Sequence, residues 1–348
     1  MSDFYDWNKT LSFDAEVNIV ISNRGKGKTY GLRKQFVNDY IKHGWCFGHI
    51  TRTKEELKAV MKGYFNKLEI QDDFPKDYVT KAEGQIIYIS KNTKKKDWKP
   101  FGYFAALSQE QLNKQLTFLN IKRIVFDEAV LNYTDRYHQY LFDEYDKLIN
   151  LISSMTRERG DSEIKPRIYL LGNACDLFNP YFIAYGIKKI PDYGYRWYKG
   201  KTCLLHYVEP GEYANELIDD TVAGHMAKGT NSEAIFARNE FINANATFIG
   251  KKPKNARFSF GLKYMGRSFG IWVDLDNGYY YVNDKIPNNE TTVFTLTNSD
   301  DEPNYIIAAR SNKILKNFRS YYYMGILLFD NPQLKNDFMG CLDYIGAR

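Results

Sequence analysis

Three short strings hold the residues best suited to chemistry. They are Ser22-Asn23-Arg24-Gly25-Lys26-Gly27-Lys28-Thr29, the pair Asp127-Glu128 after an apolar run, and Asn173 after another. The first has the spacing of a Walker A loop, with Ser22 where the first glycine usually stands. Consecutive backbone N–H groups in such a loop wrap phosphate oxygens, and the helix that follows adds positive potential at its N-terminus. Lys28 is then placed for the β- and γ-phosphates and the Thr29 hydroxyl for Mg²⁺. Gly27 lets the backbone approach closely. The ligands implied are ATP and Mg²⁺.

The run Ile124-Val125-Phe126 ending in Asp127-Glu128 reads as a Walker B strand. Asp127 would hold the metal's water shell, and Glu128 would polarise an attacking water. The adjacent Glu places the chain in the additional-strand (ASCE) class of P-loop NTPases, in which an extra strand separates the two motifs. Residues 46–50 or 103–107 are expected to supply that strand. Asn173 sits where a γ-phosphate sensor would stand, since its amide can bond both a water and a phosphate oxygen; a plain strand-ending turn is the alternative. Arg157 and Arg159 follow a long helical pattern. An arginine supplied by a neighbouring subunit has a large effect in phosphoryl transfer. Arg157 is favoured for that role with Arg159 in reserve, against a solvated helix C-terminus that favours cations.

These groups need a frame. Residues 17–22, 46–50, 103–107, 121–126 and 167–171 read as buried strands, and 29–42, 54–64 and 138–155 as helices. Gly84 between two strand-like runs signals a hairpin within 73–99. The alternation argues for a mostly parallel sheet with helices on both faces. Beyond Pro210-Gly211 the pattern changes. The expected division is an ATPase domain over 1–208, a helical linker over 209–243 and a small α+β domain over 244–348. In the last, strands at 257–264, 269–275, 279–282 and 293–297 precede a helix at 313–323, a strand at 325–329 and a helix from 332.

The chain has 348 residues, 44% of them apolar, which suits more than one core. The net charge of +6 leans towards polyanions without establishing one. Basic clusters occur at Lys94–Lys96 with Lys99, at Lys251, Lys252, Lys254 and Arg257, and at Arg310, Lys313, Lys316 and Arg319. Such groups can grip duplex phosphates without reading sequence, or merely face solvent. The N-terminal stretch has an early Asp and no apolar core, so no signal peptide is expected. No apolar run is long enough to span a membrane. Four scattered cysteines read as reduced thiols. Asp274, Asp276 and Asp330, at strand ends expected to be neighbours, have the look of an RNase H-like metal edge. An ordinary hairpin turn is the stronger reading of Asp274-Leu275-Asp276-Asn277-Gly278.

The strings SNRGKGKTYG, IVFDEAV and RIYLLGNACDLFNPYF, followed by FGIWVDLDNGYYYV, VFTLTN and ILLFDNP, resemble in order and spacing the DNA-encapsidation ATPases of small podophages, which are terminase-like packaging motors. The likeness covers nearly the whole chain. It implies a homo-oligomeric ring, pentameric by family pattern, at the portal of a procapsid in the host cytoplasm, driving double-stranded DNA inward. It gives Lys28, Thr29, Asp127 and Glu128 the Walker roles and Arg157 that of the trans-acting arginine. It also implies a C-terminal domain of degenerate RNase H-like fold that contacts DNA and the portal or a packaging RNA, without needing to cut. Two alternatives stay open on the residues alone: another P-loop motor, for filament assembly or secretion, or a nucleotide-binding structural component of the capsid vertex.

Overall fold

The computed structural model describes residues 4–109, 118–131, 140–141, 143–156, 165–174, 179–187, 191–211, 218–230, 233, 238–239, 248–288, 292–307, 312–331, 334–335, 337–338 and 341–342. The chain divides into two compact units, Met1–Asn132 with Asp143–Ile242, and Tyr133–Phe142 with Asn243–Arg348.

Unit one is built on a nine-stranded sheet. In chain order its described elements are α1 (Trp7–Ser12), β1 (Val17–Ile21), α2 (Lys28–His43), β2 (Cys46–Thr51), α3 (Lys54–Met61), α4 (Asn66–Ile70), β3 (Tyr78–Glu83), β4 (Ile86–Lys91), β5 (Lys99–Ala106), β6 (Ile121–Val130), α5 (Glu144–Met155), β7 (Arg167–Gly172), α6 (Pro180–Tyr185), β8 (Gly194–Tyr198), β9 (Cys203–Tyr207) and α7 (Val222–Ala227). The sheet order is β3-β4-β5-β2-β6-β7-β1-β9-β8. The six strands from β5 to β9 in that order run parallel, while β3, β4 and β8 add antiparallel edges. The β-branched run of β1 is buried along nearly its whole length, as a central parallel strand requires.

The expected parallel sheet is therefore present, but the strand that separates the two motifs is neither of those expected. It is β7, inserted between β1 and β6. β2 and β5 lie on the far side of β6. Chain order gave no warning, because β7 comes last of these five strands and folds back into the gap.

Local signals set the helix ends. Gly27 and Gly44, both left-handed, bracket α2, and the Gly44 N–H closes on the Tyr40 carbonyl. Thr53 and Glu56 form a reciprocal capping box at α3. The helix expected over 54–64 stops at Met61, and Gly63, with φ +69°, turns the chain into α4. Of the helix expected over 138–155, the described part begins at Glu144, and 138–139 lie outside the described residues. Elements α1, α4, α6, β8 and β9 formed no part of the sequence expectation. The core gathers aromatics on the sheet. Phe36 and Phe47 stack with centroids 4.6 Å apart, and Phe101 meets Phe47 edge-on at 5.1 Å. Phe47 lies opposite Gly102, where a Cβ would come within 2.1 Å of its ring.

Unit two holds β10 (Arg257–Tyr264), β11 (Arg267–Asp274), β12 (Tyr279–Asn283), β13 (Val293–Thr295), β14 (Ile306–Ile307), α8 (Lys313–Tyr323) and β15 (Leu327–Phe329), in the sheet order β14-β13-β10-β11-β12-β15. β10, β11 and β12 form an antiparallel meander, and β13, β14 and β15 are added parallel to their neighbours. The antiparallel meander, α8 and β15 match the small α+β domain expected here. Asp300 fixes the first hairpin by accepting 2.6 Å bonds from the Met265 and Gly266 N–H groups. No helix among the described residues is long and apolar enough to cross a membrane.

Candidate functional site

β1 ends at Ile21, and the chain turns through Ser22–Gly27 into α2. Gly25 and Gly27 sit at φ +81° and +72°, which side-chain-bearing residues rarely adopt. The N-terminal segment braces this loop. Tyr5 N–H donates to the Lys26 carbonyl at 2.8 Å, and the Trp7 indole donates to the Lys28 carbonyl at 2.9 Å. Phe4 lies against Gly27, where a Cβ would meet its ring at 2.8 Å.

The Lys28 ammonium, almost fully buried, draws the first and third strings together. It donates to Ser22 Oγ at 2.7 Å, to the carbonyls of Ser22 and Asn23 at 3.1 and 3.4 Å, and to Asn173 Oδ1 at 3.3 Å. The residue that departs from the usual glycine thus supplies a hydroxyl to the lysine. Asn173 reaches the loop because β7 lies beside β1, with Ser22 N–H bonded to the Gly172 carbonyl at 3.2 Å.

The second string joins through Thr29, whose hydroxyl donates to Asp127 Oδ2 at 2.8 Å. Asp127 Oδ1 accepts from the Glu128 N–H at 3.1 Å. The strand does not end at these acids as expected. β6 runs on to Val130, with its register against β7 slipping between Phe126 and Val130. Ala129 and Val130 are buried, which favours continuing the strand. Glu128 is exposed and left-handed at φ +53°, a conformation that costs about 1–2 kcal/mol without glycine.

Sequence reasoning missed the group behind this kink. Arg52, just past β2 and buried, donates Nε and Nη2 to both oxygens of Glu144 at 2.8 and 2.9 Å. It also donates Nη2 to the Ala129 carbonyl at 3.0 Å and Nη1 to the Glu128 carbonyl at 3.4 Å. Tyr181 adds its hydroxyl to Glu144. A second missed residue is Asn239, fully buried. Its amide bonds the Ile21 and Val208 carbonyls at 3.2 and 2.7 Å and the Ala174 N–H at 3.3 Å, tying the ends of β1, β9 and β7. Neither carries a local motif, since their partners lie far off in sequence.

A cavity of about 530 Å³ opens over the loop. Its walls include Arg24, Lys26, Lys28, Arg33 and Lys67 against Asp127 and Glu128, with Tyr30, Tyr64 and Asn173. The volume lies within the roughly 300–1,000 Å³ of ligand pockets, and the cationic lining suits a polyanion. Arg33 donates to the Tyr64 carbonyl at 2.8 Å and stands 4.0 Å from its ring centroid. Tyr64 OH bonds the buried His49 Nδ1 at 2.9 Å. Burial first, and Arg33 second, push His49 down to about 3, so the imidazole is neutral.

The site residues fit a nucleoside triphosphate with a divalent cation. The Thr29 and Asp127 oxygens form a hard donor pair, and Mg²⁺ usually takes only one or two protein carboxylates alongside phosphates and waters. Among the described residues no group of three or more His, Cys, Asp or Glu could hold a metal on its own.

Other expected residues do not converge here. Arg157 and Arg159 lie outside the described residues, as does Arg310. The acids expected at neighbouring strand ends are not neighbours. β12 separates β11 from β15, so Asp274 stands beside the start of β12 at Tyr279, while Asp330 bonds the Val282 carbonyl near its other end. Asp274 instead closes the turn, accepting from the N–H groups of Asp276 and Asn277 and from the Asn277 amide. Lys94, Lys95, Lys96, Lys313 and Lys316 are exposed, and Lys252 stacks on Trp272 at 4.1 Å. Cys46 and Cys203 are buried thiols, which burial pushes up to about 12.

Residues 1–340 match the family described as Podovirus DNA encapsidation protein (Gp16). The DNA packaging protein of Bacillus phage PZA is 31% identical over 335 residues, covering 96% of this chain and 95% of the relative. That of Bacillus phage phi29 is 30% identical over the same length and coverage. Among solved structures, a chain of the bacteriophage Phi-29 viral genome packaging motor assembly aligns with a TM-score of 0.59 at 27% identity, covering 99% of this chain and all of that one. A chain of the Phi-28 gp11 DNA packaging motor shares the fold, with a TM-score of 0.63 at 19% identity over 99% of this chain and 98% of that one.

Proposed function

This chain belongs to the Podovirus DNA encapsidation protein (Gp16) family, and from that premise we propose that it is an ATP-hydrolysing motor that drives double-stranded DNA into a procapsid. The observation that carries the reading is the convergence of Lys28, Thr29, Asp127 and Asn173 beneath one cationic cavity.

Lys28 binds the β- and γ-phosphates, exchanging its bonds to Ser22 and Asn173 for phosphate oxygens. The loop from Ser22 through Asn23, Arg24, Gly25, Lys26 and Gly27 wraps the phosphates with backbone N–H groups. Thr29 and Asp127 hold Mg²⁺, which when bound neutralises charge building on the phosphates. Glu128, projecting from its kink, orients the attacking water. Asn173 changes partner when the γ-phosphate leaves, and Ala174 beyond it passes that change on.

The motor acts as a homo-oligomeric ring at the portal of the procapsid, in the host cytoplasm. Each subunit presents Arg157 to its neighbour's γ-phosphate. Residues 1–208 hydrolyse ATP, 209–243 transmit, and 244–348 contact DNA and the portal or a packaging RNA. The separation of Asp274 from Asp330 accords with a C-terminal unit that grips without cutting.

The test is steady-state ATP hydrolysis with and without duplex DNA, across protein concentration and salt. Turnover that rises with DNA and concentration, with a DNA effect weakened by salt, is expected of a ring acting on phosphates. Turnover indifferent to all three contradicts the proposal.

A further inference from the structure

We propose that Arg52 is a positioning residue for hydrolysis. It holds the backbone kink that presents Glu128 and ties that kink, through Glu144 and Tyr181, to helices α5 and α6. The inference rests on the function proposed above and adds a group that no motif marks.

The register of β6 breaks at the two acids. Its pairing with β2 ends at Phe126, and its pairing with β7 resumes only at Val130. The segment 127–129 therefore has no register partner on either neighbouring strand, yet it contains both acids. A left-handed glutamate in such a gap stays in place only if its surroundings over-determine it. Arg52 supplies that restraint. Its guanidinium bonds two successive carbonyls, those of Glu128 and Ala129.

The guanidinium is in turn fixed. Both Glu144 oxygens receive it at 2.8 and 2.9 Å, and arginine and carboxylate are 3% and 1% exposed. The Phe126 ring lies 5.2 Å from it. A buried ion pair is often no more stabilising than well-packed apolar residues in its place. Stability alone is a weak reason for this pair, whereas a planar fork aimed at two carbonyls and a carboxylate has a geometric use that only arginine serves.

The connection also has direction. Glu144 is the first residue of α5, whose last residue, Met155, comes two before Arg157 in sequence. Tyr181 lies on α6, which follows Asn173 in the chain. One buried cluster thus links the backbone of the water-orienting acid to the helix leading towards the proposed trans arginine and to the segment beyond the proposed sensor.

The experiment uses the full chain. Two variants are compared with wild type: Arg52→Lys, and the double Arg52→Leu/Glu144→Leu, which strands no buried charge. Thermal melting, equilibrium binding of a fluorescent ATP analogue, and kcat and KM for MgATP are measured. The double variant is expected to bind the analogue within about threefold of wild type while kcat falls about 100-fold, the scale of a misplaced catalytic group. Arg52→Lys, whose ammonium cannot serve carboxylate and carbonyls together, is expected to lose about tenfold in kcat. The inference is overturned if either variant that melts like wild type keeps kcat within about twofold, or if binding falls in step with kcat. Absence of turnover in the wild type would instead overturn the function on which the inference rests.

Discussion

Thr29 and Asp127 stand 98 positions apart in the chain, yet the threonine hydroxyl donates to the aspartate carboxylate at 2.8 Å. The bond spans β7, because the first residues of α2 reach across the strand inserted between β1 and β6. Two oxygens brought together in this way suit the Mg²⁺ proposed for this site. Asp127→Asn keeps the shape but removes the charge. Its apparent Mg²⁺ affinity, read from a magnesium titration of ATP turnover, should fall by about 10–100-fold or more, the scale seen even for outer-shell partners. An unchanged magnesium dependence would place the metal elsewhere.

Gly102 faces the Phe47 ring, and a Cβ there would come within 2.1 Å of it. Gly102→Ala should therefore destabilise unit one by about 1–3 kcal/mol through overpacking. Adding Phe47→Leu should recover part of that loss. Thermal melting of the single and double variants decides, and equal losses in both would mean that the ring is not what excludes a side chain.

Burial pushes His49 down to about 3 and His206 to about 4. Both values lie below the ordinary 6.5, so between these limits the unfolded chain binds protons that the folded chain refuses. Stability is then full above pH 6.5 and is lost as pH falls through that window. His49→Gln, with no proton to gain, should reduce the loss between pH 7 and pH 4.5 by about 2–3 kcal/mol. Denaturation at the two pH values checks this, and parallel losses in both proteins would contradict it.

The acids at 274 and 330 lie near opposite ends of β12. Supercoiled plasmid incubated with the protein and Mn²⁺ should remain uncut. Asp274→Ala should lower the melting temperature, because it removes three bonds that close the turn. Cutting that the same substitution abolishes would restore a nuclease reading.

The parts legible in the sequence were those whose physics is local. A loop needing φ > 0 displays its glycines, a central parallel strand displays a β-branched run, and Gly84, at φ +60°, announced the β3–β4 hairpin. The parts that were not legible depend on pairing at a distance. Nothing within 167–172 says that it will slide between β1 and β6. Arg52 carries no local motif, and only the fold brings Glu144 opposite it. Acids at two strand ends suggested a shared edge, but which ends meet is a matter of strand order, and β12 intervenes.

Glu128 is the group proposed to orient the water in ATP hydrolysis at the Lys28–Thr29–Asp127 site. The most direct measurement pairs ATP binding with turnover in Glu128→Gln and wild type. The variant should bind ATP within about threefold of wild type while turnover falls at least about 100-fold, as loss of a positioned base requires. Equal turnover in the two proteins would contradict it and remove Glu128 from the mechanism.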